Sequence, residues 1–273
     1  MYKKWLVFAL CLFASGVAQA RATTSCQPTP QGELCVSEVD FARFAQEAYQ
    51  PQYQTQWCWA ASISMVFAYH GHPVAQPRIV SEVYGQPVNM PAQAGIVMAQ
   101  QLNRTWVDDR GASFAAQVTG AYDWDAGVNV ISNQQLVAEL ERGHPLVIGN
   151  RSHAMVLTAV QYFKTPYGPN IVAAGVFDPW PGIGPRALTP DELYPIHLGG
   201  SLRFLASVRI SDAQSRPRPP PPPPPPYEDG GCLSTSHQAG NPAGGLLLLL
   251  VAMVSERVRH RRSMSSRVSS PEG

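Results

Sequence analysis

The chain has 273 residues, 45% of them hydrophobic, and a formal net charge of +1 with only 14% charged residues. That supplies one globular core of ordinary size, with neither the basic surface that nucleic acid requires nor an acidic field for cations. Nucleic acid is therefore excluded as an expected partner.

The first twenty residues carry Lys3 and Lys4, an apolar run from Trp5 to Phe13, and Ala18-Gln19-Ala20 as a small-residue cleavage site. This is the pattern of a secretory signal peptide (1–20), and it predicts a mature chain from Arg21 that meets an oxidising compartment. Cys11 leaves with that segment. Cys26 and Cys35 lie nine positions apart in a stretch containing proline and glycine that a turn can close, which predicts a local disulfide.

The first clear element is a helix over 58–70, apolar almost all round and hence buried, with Gly71 placed to end it in the left-handed conformation. Shorter helices are expected over 78–84 and 95–102, and residues 109–116 read as a loop available to wall a cleft. Ser132-Asn133-Gln134-Gln135 is a capping box opening a helix that carries Leu136, Val137 and Leu140 on one face and stops at Gly143. Strands follow over 145–149, 153–163, 171–177 and 201–210, the last preceded by a second capping box, Thr189 to Glu192, with Pro190 at the first helical position. Helices first and strands afterwards give an α+β class: an N-terminal helical half and a C-terminal antiparallel β half.

The folded domain is expected to span 21–213. Residues 214–229 form a proline-rich spacer in which Pro219 to Pro226 is unbroken, a stiff extended rod. In the last segment, 230–273, come Gly231-Cys232, the apolar run Leu246 to Val254, and Arg257, Arg259, Arg261 and Arg262. Nine apolar residues are too few to span a bilayer. The segment resembles the MYXO-CTERM class of sorting tails. That resemblance implies Cys232 as the anchoring or processing residue, a sorting enzyme as partner, membrane contact only through the tail, and an outer-surface location. A plain, weakly membrane-associating tail or a disordered end is the alternative.

With Cys11 removed, Cys26 and Cys35 paired and Cys232 in the tail, Cys58 has no partner, so it is either a shielded core thiol or a reactive one. A helix N-terminus stabilises a thiolate through free N–H groups and the helix dipole, and Cys58 stands at that position. A nucleophile also requires a base, for which His70, His72, His144, His153, His197 and His237 are available. His153 opens a strand, which gives the imidazole a rigid support. Asp178 closes the next strand, where Pro179 stops sheet pairing. An oxyanion donor can come from Gln52, Gln54 or Gln56 with the cysteine's own N–H. His70 and His72 lack a cysteine or carboxylate at ligand spacing and read as a solvated helix end rather than a metal site. Trp180 either shields the His–Asp bond from water or simply packs.

The stretches QYQTQWCWAA, GNRSHAMVL and VFDPW resemble, in order and setting, the papain-like cysteine peptidases, above all the bacterial C39-like and C70 (AvrRpt2-type) branches. The resemblance runs from Gln52 to Ile210. It implies a papain-like fold with the nucleophile on a central buried helix, and it assigns Cys58 as nucleophile, His153 as base, Asp178 as the residue orienting the imidazole and Gln52 as oxyanion donor. The expected activity is hydrolysis of peptide bonds in a peptide or protein substrate through an acyl-enzyme, by a monomer without a cofactor. Acyl or amide transfer by the same triad, cell-wall amidase chemistry included, and an inactive surface-displayed binding module are the alternatives.

Overall fold

The computed structural model describes residues 22–212. The signal-peptide, spacer and tail expectations, Cys232 included, lie outside the described residues. The chain opens with a hairpin, β1 (Thr23–Thr29) and β2 (Gly32–Glu38), then runs through α1 (Phe41–Arg43, continued as a π turn over Phe44–Ala48), α2 (Cys58–Tyr69), α3 (Gln76–Tyr84) and α4 (Gly95–Gln101). Next come β3 (Arg104–Val107), β4 (Ser113–Asp123), β5 (Val128–Asn129), α5 (Asn133–Glu141), β6 (Leu146–Gly149), β7 (Ala154–Thr165) and β8 (Gly168–Asp178). The series closes with β9 (Gly184–Ala187), α6 (Pro190–Leu193) and β10 (Phe204–Asp212).

The fold is α+β, built on a large antiparallel sheet ordered β1-β2-β7-β6-β10-β4-β3, with β8 also on β7, β9 on β8 and β5 on β4. The helical-half-then-β-half partition is corrected here, because five strands, β1 to β5, precede α5. β2 adds to β7 through Leu34↔Phe163 and neighbouring pairs, and β4 adds to β10 through Phe204↔Asp123 and onward. The expected loop over 109–116 is likewise only a turn, since Ser113 already begins β4. Cys26 and Cys35 face each other across the hairpin with their sulfurs 2.09 Å apart.

The central helix α2 is buried on nearly every side, against β6 and β7 of the sheet and against α1, α3 and α4. Trp59, Ile63, Met65 and Phe67 are almost wholly enclosed. Phe67 meets the rings of Phe114 and Trp106 edge-on at centroid distances of 5.1 and 5.6 Å. Gly71 ends the helix at φ 86°, a value that favours glycine. At α5 the capping box is half made: the Ser132 hydroxyl accepts from the Gln135 N–H, while the Gln135 amide reaches across to Thr119 O instead of back to the cap. At α6 both halves are present, between Thr189 and Glu192.

Candidate active site

Cys58 is the first residue of α2. Its predecessor Trp57 has φ −99° and ψ 16° and supplies no side-chain cap, and the first intrahelical bond at this end runs from Ala61 N–H to Trp57 O. The N–H groups of Cys58, Trp59 and Ala60 therefore have no acceptor in the helix and face whatever charge develops at its start. The approach to the cysteine is fixed by buried amides. Gln76, fully enclosed, accepts from Tyr53 N–H and donates to Gln50 Oε1 and Pro51 O.

The two tryptophans flanking Cys58 have a function not evident from their size. The Trp57 indole donates to Val88 O at 2.8 Å and the Trp59 indole to Met90 O at 3.1 Å. The strap that follows, residues 91–95, forms one wall of a cleft of about 510 Å³ whose other wall is the turn 149–153; Cys58 and His153 both line it. Gln93 on that strap has φ 66°, an uncommon left-handed value for a side-chain-bearing residue. The residues 109–116 do not line this cleft.

His153 sits in the turn just before β7, its N–H bonded to Asn150 Oδ1 at 2.9 Å. Antiparallel pairing of Val156 with Phe177 brings the end of β8 level with the start of β7. The result is a bond of 2.6 Å between His153 Nε2 and Asp178 Oδ1. With Nε2 so engaged, Nδ1 is left for Cys58. Burial opposes a charge on this imidazole, but the bond it makes to Asp178 and the neighbouring Cys58 outweigh it and raise the pKa to about 9. Asp178 is 4% exposed. Burial alone would raise its pKa, yet bonds from His153, the Trp180 N–H and Arg186 hold it below the usual carboxylate range. The Trp180 ring is 47% exposed and stands edge-on to the imidazole at 6.3 Å, so it is no ordinary core residue.

Gln52 occupies the expected place with a different set of bonds. Its backbone N–H donates to Pro179 O at 2.7 Å, tying the approach segment to the Asp178 turn. Its side-chain amide donates both hydrogens, to Gln54 O at 2.9 Å and Thr55 O at 3.0 Å, and leaves Oε1 buried without a partner. In this conformation Gln52 offers no free N–H to the cleft. Gln54 and Gln56 are exposed on the approach turn.

The other histidines are elsewhere. His70 and His72 do not form a solvated helix end: the Nε2 of His70 is buried without a partner, and His72 is 9% exposed, between Asp108 and Asp212 and stacked on Phe114. His144 bonds to Glu139, and His197 contacts Tyr122. Among the described residues one group has metal-ligand spacing, Cys26, Glu33 and Cys35, and its two sulfurs are bonded to each other, so no thiolate is on offer. Sequence reasoning missed Arg186, whose Nε donates to Asp178 Oδ2 at 2.9 Å. Its only trace in the sequence is the neighbouring capping box.

The Peptidase C39 like family matches residues 39–180, which is just over half of the chain and includes Cys58, His153 and Asp178. The chain belongs to this peptidase C39-like family. Membership makes it a peptidase of the cysteine type. Among solved structures, this C39-like chain is similar to a double glycine motif protease from an AMS/PCAT transporter in complex with the leader peptide. The two are 15% identical, with 61% of this chain and 94% of that chain covered and a TM-score of 0.33. A search of curated proteins finds no match.

Proposed function

We propose that the protein is an exported thiol peptidase that hydrolyses peptide bonds through Cys58, His153 and Asp178. The observation that carries this reading is the 2.6 Å bond from Asp178 Oδ1 to the Nε2 of His153, a residue that lines a cleft together with the one free cysteine among the described residues. The raised pKa of His153 keeps the imidazole protonated at neutral pH, and the free N–H groups at the start of α2 favour the thiolate as the attacking form of the nucleophile. The thiolate adds to the carbonyl carbon of the substrate, and the carbonyl oxygen becomes an anion. His153 gives its Nδ1 proton to the leaving amine, the C–N bond breaks, and an acyl-enzyme thioester remains. Neutral His153 then removes a proton from water as the water oxygen bonds to the thioester carbon; collapse of this second anion breaks the C–S bond, releases the acid and restores the thiolate–imidazolium pair.

The oxyanion meets the Cys58 N–H first. Gln52 becomes the second donor when one of its N–H groups turns from a neutral carbonyl to the anion, an exchange favoured because charge-assisted bonds are roughly twice as strong as neutral ones. Export rests on the signal-peptide pattern of residues 1–20. Retention at the cell surface through the spacer and a tail processed at Cys232 rests on the order of glycine-cysteine, apolar run and arginines. The full chain incubated with a mixed peptide library should give cleavage products that Cys58→Ala does not. Equal products from the two proteins would end the proposal.

A further inference from the structure

The carboxylate of Asp178 has a second holder, beyond the residues that the family match covers. Oδ1 accepts from His153 Nε2 at 2.6 Å and from Trp180 N–H at 2.8 Å. With those bonds alone, the group would be pinned by one oxygen and free to rock about its last torsion. Oδ2 accepts from Arg186 Nε at 2.9 Å, which removes that freedom.

Arg186 is itself held at every donor. Its Nε–H serves Asp178. Nη1 donates to Ala187 O at 3.2 Å and to Glu192 Oε2 at 2.8 Å, and Nη2 donates to Glu192 Oε1 at 2.7 Å and lies 3.0 Å from Met155 Sδ. A guanidinium has five N–H groups in a rigid planar fork, and all five are engaged here. Glu192 is fixed in turn by the cap of α6, where its Oε2 accepts from Thr189 N–H at 2.9 Å and Thr189 Oγ1 at 3.1 Å. Arg186 is the first cause that keeps the Glu192 carboxyl down at about 2, so the pair stays charged throughout the working pH range.

We propose that Arg186, braced by Glu192, is a positioning residue of the catalytic triad: it locks the Asp178 carboxylate in the rotation that meets His153. The proposal rests on the triad reading above. The guanidinium also adds a fixed positive charge behind the carboxylate, which tempers the pull of Asp178 on the imidazolium. The titratable groups facing Asp178 are His153 from the turn before β7, Arg186 from β9 and Tyr49 from the end of the α1 segment. His153 faces Asp178 and Cys58, and Glu192 is reached through Arg186.

The test uses the full chain with Arg186→Gln, Arg186→Lys and Glu192→Gln. Peptide hydrolysis is followed across pH, alongside the rate at which iodoacetamide alkylates Cys58, read by mass spectrometry of its peptide. Thermal unfolding reports the folded fraction. Arg186→Gln should lower kcat about tenfold to a hundredfold with KM little changed, as expected when a reacting group is misplaced. It should also move the alkaline limb of the rate profile up by about one pH unit, because a nearby cation no longer opposes the imidazolium. Arg186→Lys keeps the charge but loses the fork, so kcat should fall while the limb stays in place. Glu192→Gln should follow Arg186→Gln in kcat with a smaller drop.

Wild-type rates and limb in a folded Arg186→Gln protein would overturn the proposal, as would losses that only track unfolded protein in all three variants. If wild-type Cys58 is alkylated no faster than a free thiol at every pH, the triad reading itself fails, and this proposal falls with it.

Discussion

The two ends of α2 each meet a histidine and treat it in opposite ways. At the N-terminal end His153 has a carboxylate bonded at 2.6 Å and a pKa raised to about 9. At the C-terminal end His70 has Nε2 buried without a partner, and burial together with the nearby His144 lowers its pKa to about 4. A helix C-terminus ordinarily favours a histidine cation. Here the available carboxylate, Glu139, bonds to His144 rather than to His70, so desolvation decides the outcome. What separates the reactive histidine at one end of this helix from the inert one at the other is the placement of one carboxylate.

The sharpest way to break the contrast is to remove the nucleophile. Cys58→Ala should reduce hydrolysis by about a million-fold, to background, with the circular dichroism and melting curve of the parent. His70→Asn, at the other end, should leave the folded enzyme fully active. Next in size is Asp178→Asn, which leaves the imidazole without its carboxylate and should cost about 10⁴-fold in kcat. A loss of less than tenfold would deny Asp178 its orienting role. Gln52→Ala should lower kcat by about 10²- to 10³-fold, the usual cost of an oxyanion donor. If only the melting temperature falls, Gln52 is a brace for the turn through Gln54 and Thr55 and nothing more.

The smallest effect is on stability against pH, and its sign differs between the two ends. For His153, whose pKa is raised on folding, the stabilisation is complete below about 6.5 and is lost as pH rises toward about 9. For His70, whose pKa is lowered, the unfolded chain takes up a proton first, so stability is lost as pH falls from about 6.5 toward about 4. Thermal melts from pH 4 to 9.5 should show both slopes, each a shift of about 2–4 °C per kcal/mol. Asp178→Asn should flatten the alkaline slope alone, and His70→Asn the acid slope alone.

Much of this contrast was legible in the sequence, because the residues at issue stand where regular elements stop. Cys58 begins a helix, Asp178 precedes a proline, and Gly71 and the Thr189 cap mark ends that local chemistry dictates. The six strands not expected, β1 to β5 and β9, had no such markers. β4 is rich in alanine and glycine, and its strand character comes from pairing with β10, far along the chain. The β1–β2 segment was read through its cysteines, although what makes it part of the sheet is β7. Arg186 was invisible for a related reason: it acts through a carboxylate on the neighbouring strand and another on α6. The engagement of the Gln52 amide with two nearby carbonyls is a matter of rotamer, which residue spacing does not encode.

The indole bonds from Trp57 and Trp59 to Val88 O and Met90 O make the nucleophile and the facing rim hang from a single helix start. The position of the strap wall relative to the thiol is therefore a property of that suspension. On warming, loss of these two bonds frees the rim from the thiol. Catalytic heat inactivation and the change in tryptophan emission should accordingly trace one curve, making the enzyme's own fluorescence a readout of its working aperture.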